Sequence, residues 1–302
     1  MKKLVTLLMV LALALSLMVS CGGNEDDTPV EKTYSVSIAT DSAFGSNGKV
    51  SNTGLVLVID ADNKIAAARF DSIEPTAKLD ENGALVPVAT TTSKVELGDS
   101  YTGMKAGSWA DQAKAFENAI VGKTADEVAN LTADLHAGCT MTNTTATFKA
   151  LVAEAFANPH KVTFTTASAF TTGFAMDASV SSGRGGKISV ACDLAGVVMV
   201  EGKVVACVLD SVEQSYTVAE GALVAGELAD SKNEQGDGYT GMKAGPWYKQ
   251  AQAFANSTVG KTVADLANLE TVSDALAAAG CTMQNTTAGY KTTIISAAEY
   301  AR

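Results

Sequence analysis

Residues 94–121 of this chain are written a second time at 232–259, so whatever one copy folds into, the other is built to fold into again. The shared core runs Gly98-Asp99-Ser100-Tyr101-Thr102-Gly103-Met104-Lys105-Ala106-Gly107-Ser108-Trp109. It returns as Gly236-Asp237-Gly238-Tyr239-Thr240-Gly241-Met242-Lys243-Ala244-Gly245-Pro246-Trp247. In both copies a helical stretch, then Val-Gly-Lys-Thr (121–124, 259–262) and Gly-Cys-Thr-Met (138–141, 280–283) follow.

The repeats sit in similar surroundings. Ahead of the first, Leu55 to Ile59 leads through a polar turn into Lys64 to Phe70, the pattern of a hairpin. Ahead of the second, Val197 to Val200 passes through Glu201-Gly202 into Lys203 to Leu209. Both returning strands end in Asp-Ser-Ile/Val-Glu, at 71–74 and 210–213. Helical periodicity follows: Trp109, Ala113, Phe116 and Ile120 make one apolar stripe, and Phe148, Leu151, Val152 and Ala155 another. Strands then helices, twice, predict an α+β fold of two tandem repeats, each a small antiparallel sheet packed by helices. The expected units are 34–157 and 161–302, separated at Asn158-Pro159-His160.

The N-terminus reads as an address. Lys2 and Lys3 precede an apolar run from Leu4 to Val19, and small Ser20 stands before Cys21. Residues 1–20 resemble a bacterial lipoprotein signal peptide, with Cys21 as the lipidated residue. Residues 21–33 are small, polar and acidic, the composition of a disordered tether. The expectation is an extracytoplasmic protein held to the cell membrane by an N-terminal lipid. Without Lys2 and Lys3 the formal charge of −11 becomes −13, and an acidic chain lacking a basic stripe argues against nucleic acid as a partner.

Familiar catalytic and metal-binding motifs are absent. Val121-Gly122-Lys123-Thr124 ends like a phosphate loop, but Glu117 and Ala255 stand where its first glycine is required. Thr124 with Glu127 and Thr262 with Asp265 read instead as helix starts. Asp60-x-Asp62-Asn63 lacks the later glycine and glutamate of a calcium loop and reads as a polar turn. The histidines are His136 and His160, and neither recurs in the second copy. No metal is expected, and catalytic residues are assigned to none. Cys192 and Cys207 fall on adjacent expected strands, where they could pair in an oxidising compartment.

The glycine-rich entry to each Trp helix is the candidate binding site. Glycines let backbone approach a ligand, and a helix N-terminus offers free N–H groups to an anion. Tyr101 and Trp109, with Tyr239 and Trp247, could supply stacking faces, although core packing is the commoner role of a scarce tryptophan. Lys105 and Gln112, repeated as Lys243 and Gln250, are the polar positions that packing explains least.

These features resemble the small FMN-binding domains of exported bacterial lipoproteins and of subunits of sodium-pumping and electron-transport complexes. The likeness lies in Tyr-Thr-Gly, a hairpin with a polar turn followed by Lys-Ile/Val, and a Thr-rich start to the final helix. It implies FMN as cofactor, with Thr147 of Thr144-Thr145-Ala146-Thr147 as phosphate acceptor and a redox protein as partner. Met141 stands where the family has aspartate and Thr145 where it has glycine; Thr286-Thr287-Ala288-Gly289 has no acceptor. The layout is also similar to exported lipoproteins of anaerobic, clostridia-like bacteria, which implies no activity. The expected function is therefore a flavin-dependent electron carrier. The alternative is a non-enzymatic cell-surface binding or structural lipoprotein without flavin.

Overall fold

The structure, a computed structural model, describes residues 30–88, 91–101, 104, 107–132, 141–239, 242 and 244–302. The leader, most of the tether, Lys105, Lys243, His136 and Cys139 lie outside the described residues.

Two four-stranded antiparallel sheets, with helices against them, make the protein α+β. In the first half, β1 (Lys32–Phe44), β2 (Val50–Asp60) and β3 (Ile65–Ile73) form a meander. Helices α1 (Lys94–Leu97), α2 (Trp109–Ile120), α3 (Ala125–Ala129) and α4 (Thr142–Ala157) follow. After β4 (Val162–Thr166) the order returns. β5 (Phe170–Ser182), β6 (Ile188–Val200), β7 (Lys203–Ala219) and β8 (Ala222–Ala225) precede α5 (Lys232–Gln235), α6 (Trp247–Asn256), α7 (Val263–Leu266), α8 (Asp274–Ala278) and α9 (Gln284–Glu299).

Strand alternation explains how the layers meet. Leu55, Leu57 and Ile59 of β2 face Trp109, Phe116, Phe148 and Leu151 of α2 and α4. Val56 and Val58, on the opposite face, join Met176, Leu194, Val198 and Val208 of the second sheet. The second sheet repeats the plan, with Val197 and Met199 under Trp247, Phe254 and Tyr290 of α6 and α9. The central strands are apolar on both faces because each is covered on both. The sheets pack so closely that a Cβ on Gly196 would lie 2.4 Å from Val56 Cγ2, and one on Gly54 2.6 Å from Leu194 Cδ2.

Asn158-Pro159-His160 does not separate two bodies. β4 lies beyond it yet pairs with β1, Val162 opposite Val36 and Thr166 opposite Lys32. Asn158 Nδ2 also donates to Ile38 O at 2.9 Å. Glu31–Arg302 is one compact unit.

The tight turns follow their residues. Asp60 Oδ1 accepts the N–H groups of Asp62 (3.0 Å) and Lys64 (2.8 Å), with Asn63 at φ 56°. Its carboxylate closes the hairpin. Glu201 and Gly202, at φ 50° and 75°, form the two-residue turn that suits the twist of β6 and β7.

Cys192 and Cys207 are both reduced and cannot meet. In register, Cys192 is opposite Val212 and Cys207 opposite Val197. Cys192 points between the sheets and Cys207 toward the helices.

Candidate functional site

Each repeat begins by anchoring its short helix to the preceding strand. Ser93 and Glu96 form a reciprocal capping box at α1, as Ser231 and Glu234 do at α5. Asp71 Oδ1 accepts Val95 N–H at 3.0 Å and Ser72 N–H at 2.7 Å. Asp210 Oδ1 does the same for Asn233 (3.1 Å) and Ser211 (2.7 Å). Burial pushes each carboxyl up to about 7, against the downward pull of these hydrogen bonds.

The anchored helix lays a lysine over the repeated aromatic pair. Lys94 Nζ is 5.1 Å from the Tyr101 ring centre and 5.7 Å from that of Trp109. Lys232 Nζ is 5.5 Å from Tyr239 and 5.4 Å from Trp247. Such contacts contribute about 0.5–2 kcal/mol depending on desolvation. Lys94 is also 2.9 Å from Glu74 Oε1, so its charge is already met. Trp109 and Trp247 are 2% and 1% exposed, leaving neither ring a free face.

The repeated glutamine is also internal. Gln250 Nε2 donates to Gly245 O at 3.0 Å, while Oε1 accepts Thr282 N–H (3.0 Å) and Thr282 Oγ1 (2.9 Å). It ties the glycine turn before α6 to the Gly-Cys-Thr-Met segment before α9. Gln112 is likewise fully buried. Val-Gly-Lys-Thr has a backbone role. Gly122 N–H donates to Ile65 O (2.8 Å) and Ile65 N–H to Lys123 O (2.9 Å), then Thr124 and Glu127 cap α3. Gly260, Lys261 and Val204 repeat those bonds, and Thr262 and Asp265 cap α7.

These residues do not fit a stacked flavin. The tryptophans are buried with a lysine over each, the tyrosines are half-buried, Gln112 is fully buried, and Gln250 is held by Gly245 and Thr282. On α4, Phe148 takes the inward direction and meets Trp109 edge-on at 5.9 Å. Thr147, about 100° round the helix, is half-buried outside that contact. Trp109, Gln112, Trp247 and Gln250 are buried, and Tyr101 and Tyr239 pack at the edge of the same cores. No family model, curated protein or solved structure matches this chain.

Accessible chemistry gathers where the halves differ. A cavity of about 840 Å³ lies between Val88 with residues 91–96, β5 and the C-terminal half of α9. Asp177, Glu96, Thr292, Thr293, Ser296 and Tyr300 supply its polar atoms. Asp177 stands directly opposite Asp193 across β5 and β6. Tyr290 donates to Asp193 Oδ1 at 3.0 Å, a bond Phe148 cannot make in the first half. Burial pushes Asp193 upward and Asp177 adds to this, while Lys232, Ser211 and Tyr290 oppose it. In the first half, Glu154 of α4 lies near Thr40 and Asp41 of β1, and the Thr40 backbone pulls its carboxyl downward. Burial first, then Glu234 and Asp210, push it up to about 8. Among the described residues, no group of three or more His, Cys, Asp or Glu could hold a metal ion.

Of the cavity residues, Glu96 alone lies in the repeated segment, where Glu234 is its counterpart. Lys94 and Lys232 were within reach of sequence, since both follow the Ser of a Ser-x-x-Glu capping signature inside the repeat. The cavity was not, because its walls come from three distant segments.

Proposed function

We propose that this chain is an extracytoplasmic lipoprotein, anchored through Cys21, that arose by duplication of one α+β unit and acts by binding a partner without flavin. The carrying observation is the fate of the repeated Tyr–Trp pair: each tryptophan is buried, and a lysine lies over both rings. The leader sequence supports the anchor, and the matching helix order after each three-stranded meander supports the duplication.

Two measurements test it. The protein purified from a flavin-attaching host is expected to be colourless and to leave added FMN free; a bound flavin spectrum refutes the reading. Labelled fatty acid should enter the wild-type chain and not Cys21→Ala, which should leave the membrane fraction. A Cys21→Ala protein that stays membrane-bound removes the anchor.

A further inference from the structure

We infer that the outer edge of β5 is a docking site for an extended, basic stretch of a partner polypeptide, an inference that rests on the binding reading above. β5 ends its sheet, with β6 as its only strand neighbour there. Six consecutive residues, Ala175 to Val180, line the cavity. Side chains of a strand alternate, and Ala175 joins the helix-side core while Met176 joins the core between sheets. A space that touches all six therefore runs along the strand's edge, about 20 Å at roughly 3.3 Å per residue.

The main chain there is oriented for pairing. Thr172 exchanges both of its backbone bonds with Arg302, each 3.2 Å, so its N–H and C=O point away from β6. By the alternation of antiparallel pairing, Phe174, Met176, Ala178 and Val180 point the same way. Asp177 Oδ1 occupies the Ala178 N–H at 3.0 Å, and the cavity is open beside Met176 and Val180. The matching edge of β1 is covered: β4 pairs with Lys32 to Val36, Asn158 takes Ile38 O, and Glu154 lies near Thr40. On α9 the corresponding position is the short Ser296, which lines the cavity.

Charge selects the occupant. Glu96 on one wall and Asp177 on the strand are joined by no lysine, arginine or histidine in the lining. Like charges directly across a sheet destabilise it, and Asp177 faces Asp193. A lysine or arginine from an added strand would relieve that opposition while main-chain bonds hold the segment in register.

The test pans the purified full chain against a random hexapeptide library. Lysine or arginine at alternate positions should be enriched. The selected peptide should bind at least tenfold more weakly to the Glu96→Gln, Asp177→Asn double variant, whose amide oxygens still accept from Ser93 and Ala178. N-methylating its alternate backbone nitrogens should abolish binding in one register and spare it in the other. Acidic or wholly apolar winners overturn the inference, as do basic winners indifferent to the double variant. Spermine competing as strongly as the peptide would show an amine site rather than a strand site. An unenriched library also overturns it, and leaves the flavin and lipid measurements to judge the binding reading separately.

Discussion

Replacing Glu117 with alanine should cost about 3–5 kcal/mol, because one carboxylate on α2 ties the first half to the last residues of the chain. Glu117 is 2% exposed. Its Oε1 accepts Phe70 N–H at 2.9 Å; its Oε2 receives Arg302 at 2.9 Å and Arg69 at 3.4 Å. Arg69 also donates to Thr172 O at 3.0 Å and to the Arg302 carbonyl, joining β3 of one sheet to β5 of the other. Burial pulls Arg69 below its ordinary value and Glu117 holds it up, so losing the carboxylate strands a largely buried guanidinium. The orphaned Phe70 N–H alone costs about 1–3 kcal/mol, and stranding Arg69 brings the total into the stated range. Arg302 is 44% exposed, so Arg302→Ala should lose no more than about 1 kcal/mol. Urea unfolding followed by Trp fluorescence measures both, with Trp109→Phe and Trp247→Phe backgrounds reporting each half. Glu117→Gln, which still accepts from Phe70, should fall between. A Glu117→Ala cost below about 1 kcal/mol, or an equal cost for Arg302→Ala, refutes the buried-pair argument.

Two further outcomes are expected. Asp71 and Asp210 titrate near 7 folded against about 3.9 unfolded, so the folded state binds more protons between those values and their contribution to stability falls as pH rises across that window. Asp71→Asn should therefore gain on wild type from about pH 4 to 7 and hold its gain above; a constant difference in urea midpoints over that range contradicts it. Cys192 and Cys207 should resist thiol reagents in the native protein and react after denaturation, since burial raises both thiols, Cys207 to about 12. A Cys192–Cys207 peptide in a non-reducing digest would sink the strand register.

Periodicity and repetition made the local elements legible. The hairpin before each Trp helix, the capped helices after Val-Gly-Lys-Thr and the polar turn at Asp60 all follow from residues close in sequence. What stayed hidden depends on residues far apart. Nothing near Val162 to Thr166 says that this strand returns to β1, because either sheet offers an edge it could extend. The pairing of the cysteines stayed open in the sequence for the same reason: adjacent strands were clear, but register and facing direction follow from the whole hairpin. Lys105 and Lys243 drew attention as conspicuous charges and lie outside the described residues; among those described, Lys94 and Lys232 lie over the repeated rings. Helix α1 and its twin bring them back over the aromatic pair. Repeated polar residues such as Gln250 marked a demand of the backbone, which sequence alone does not separate from a demand of a ligand.

That distinction reverses the first intuition about a duplicated motif. Two copies of one unit that serve a single asymmetric partner should agree where they build structure and diverge where they touch it. The aromatic pair, the capping boxes, the buried aspartates and the glycine anchors agree, and each is satisfied within its own half. Among the many positions that differ, three change a group that meets buried partners or a strand edge. Glu117 has Ala255 as its counterpart, and the Glu117 carboxylate is spent on joining the halves. Phe148 becomes Tyr290, which brings a hydroxyl to Asp193, and Glu154 becomes Ser296, which leaves β5 without the carboxylate that lies beside β1. Two of these three changes bear on the same strand pair, β5 and β6. The asymmetry thus points to one working edge in a scaffold built twice.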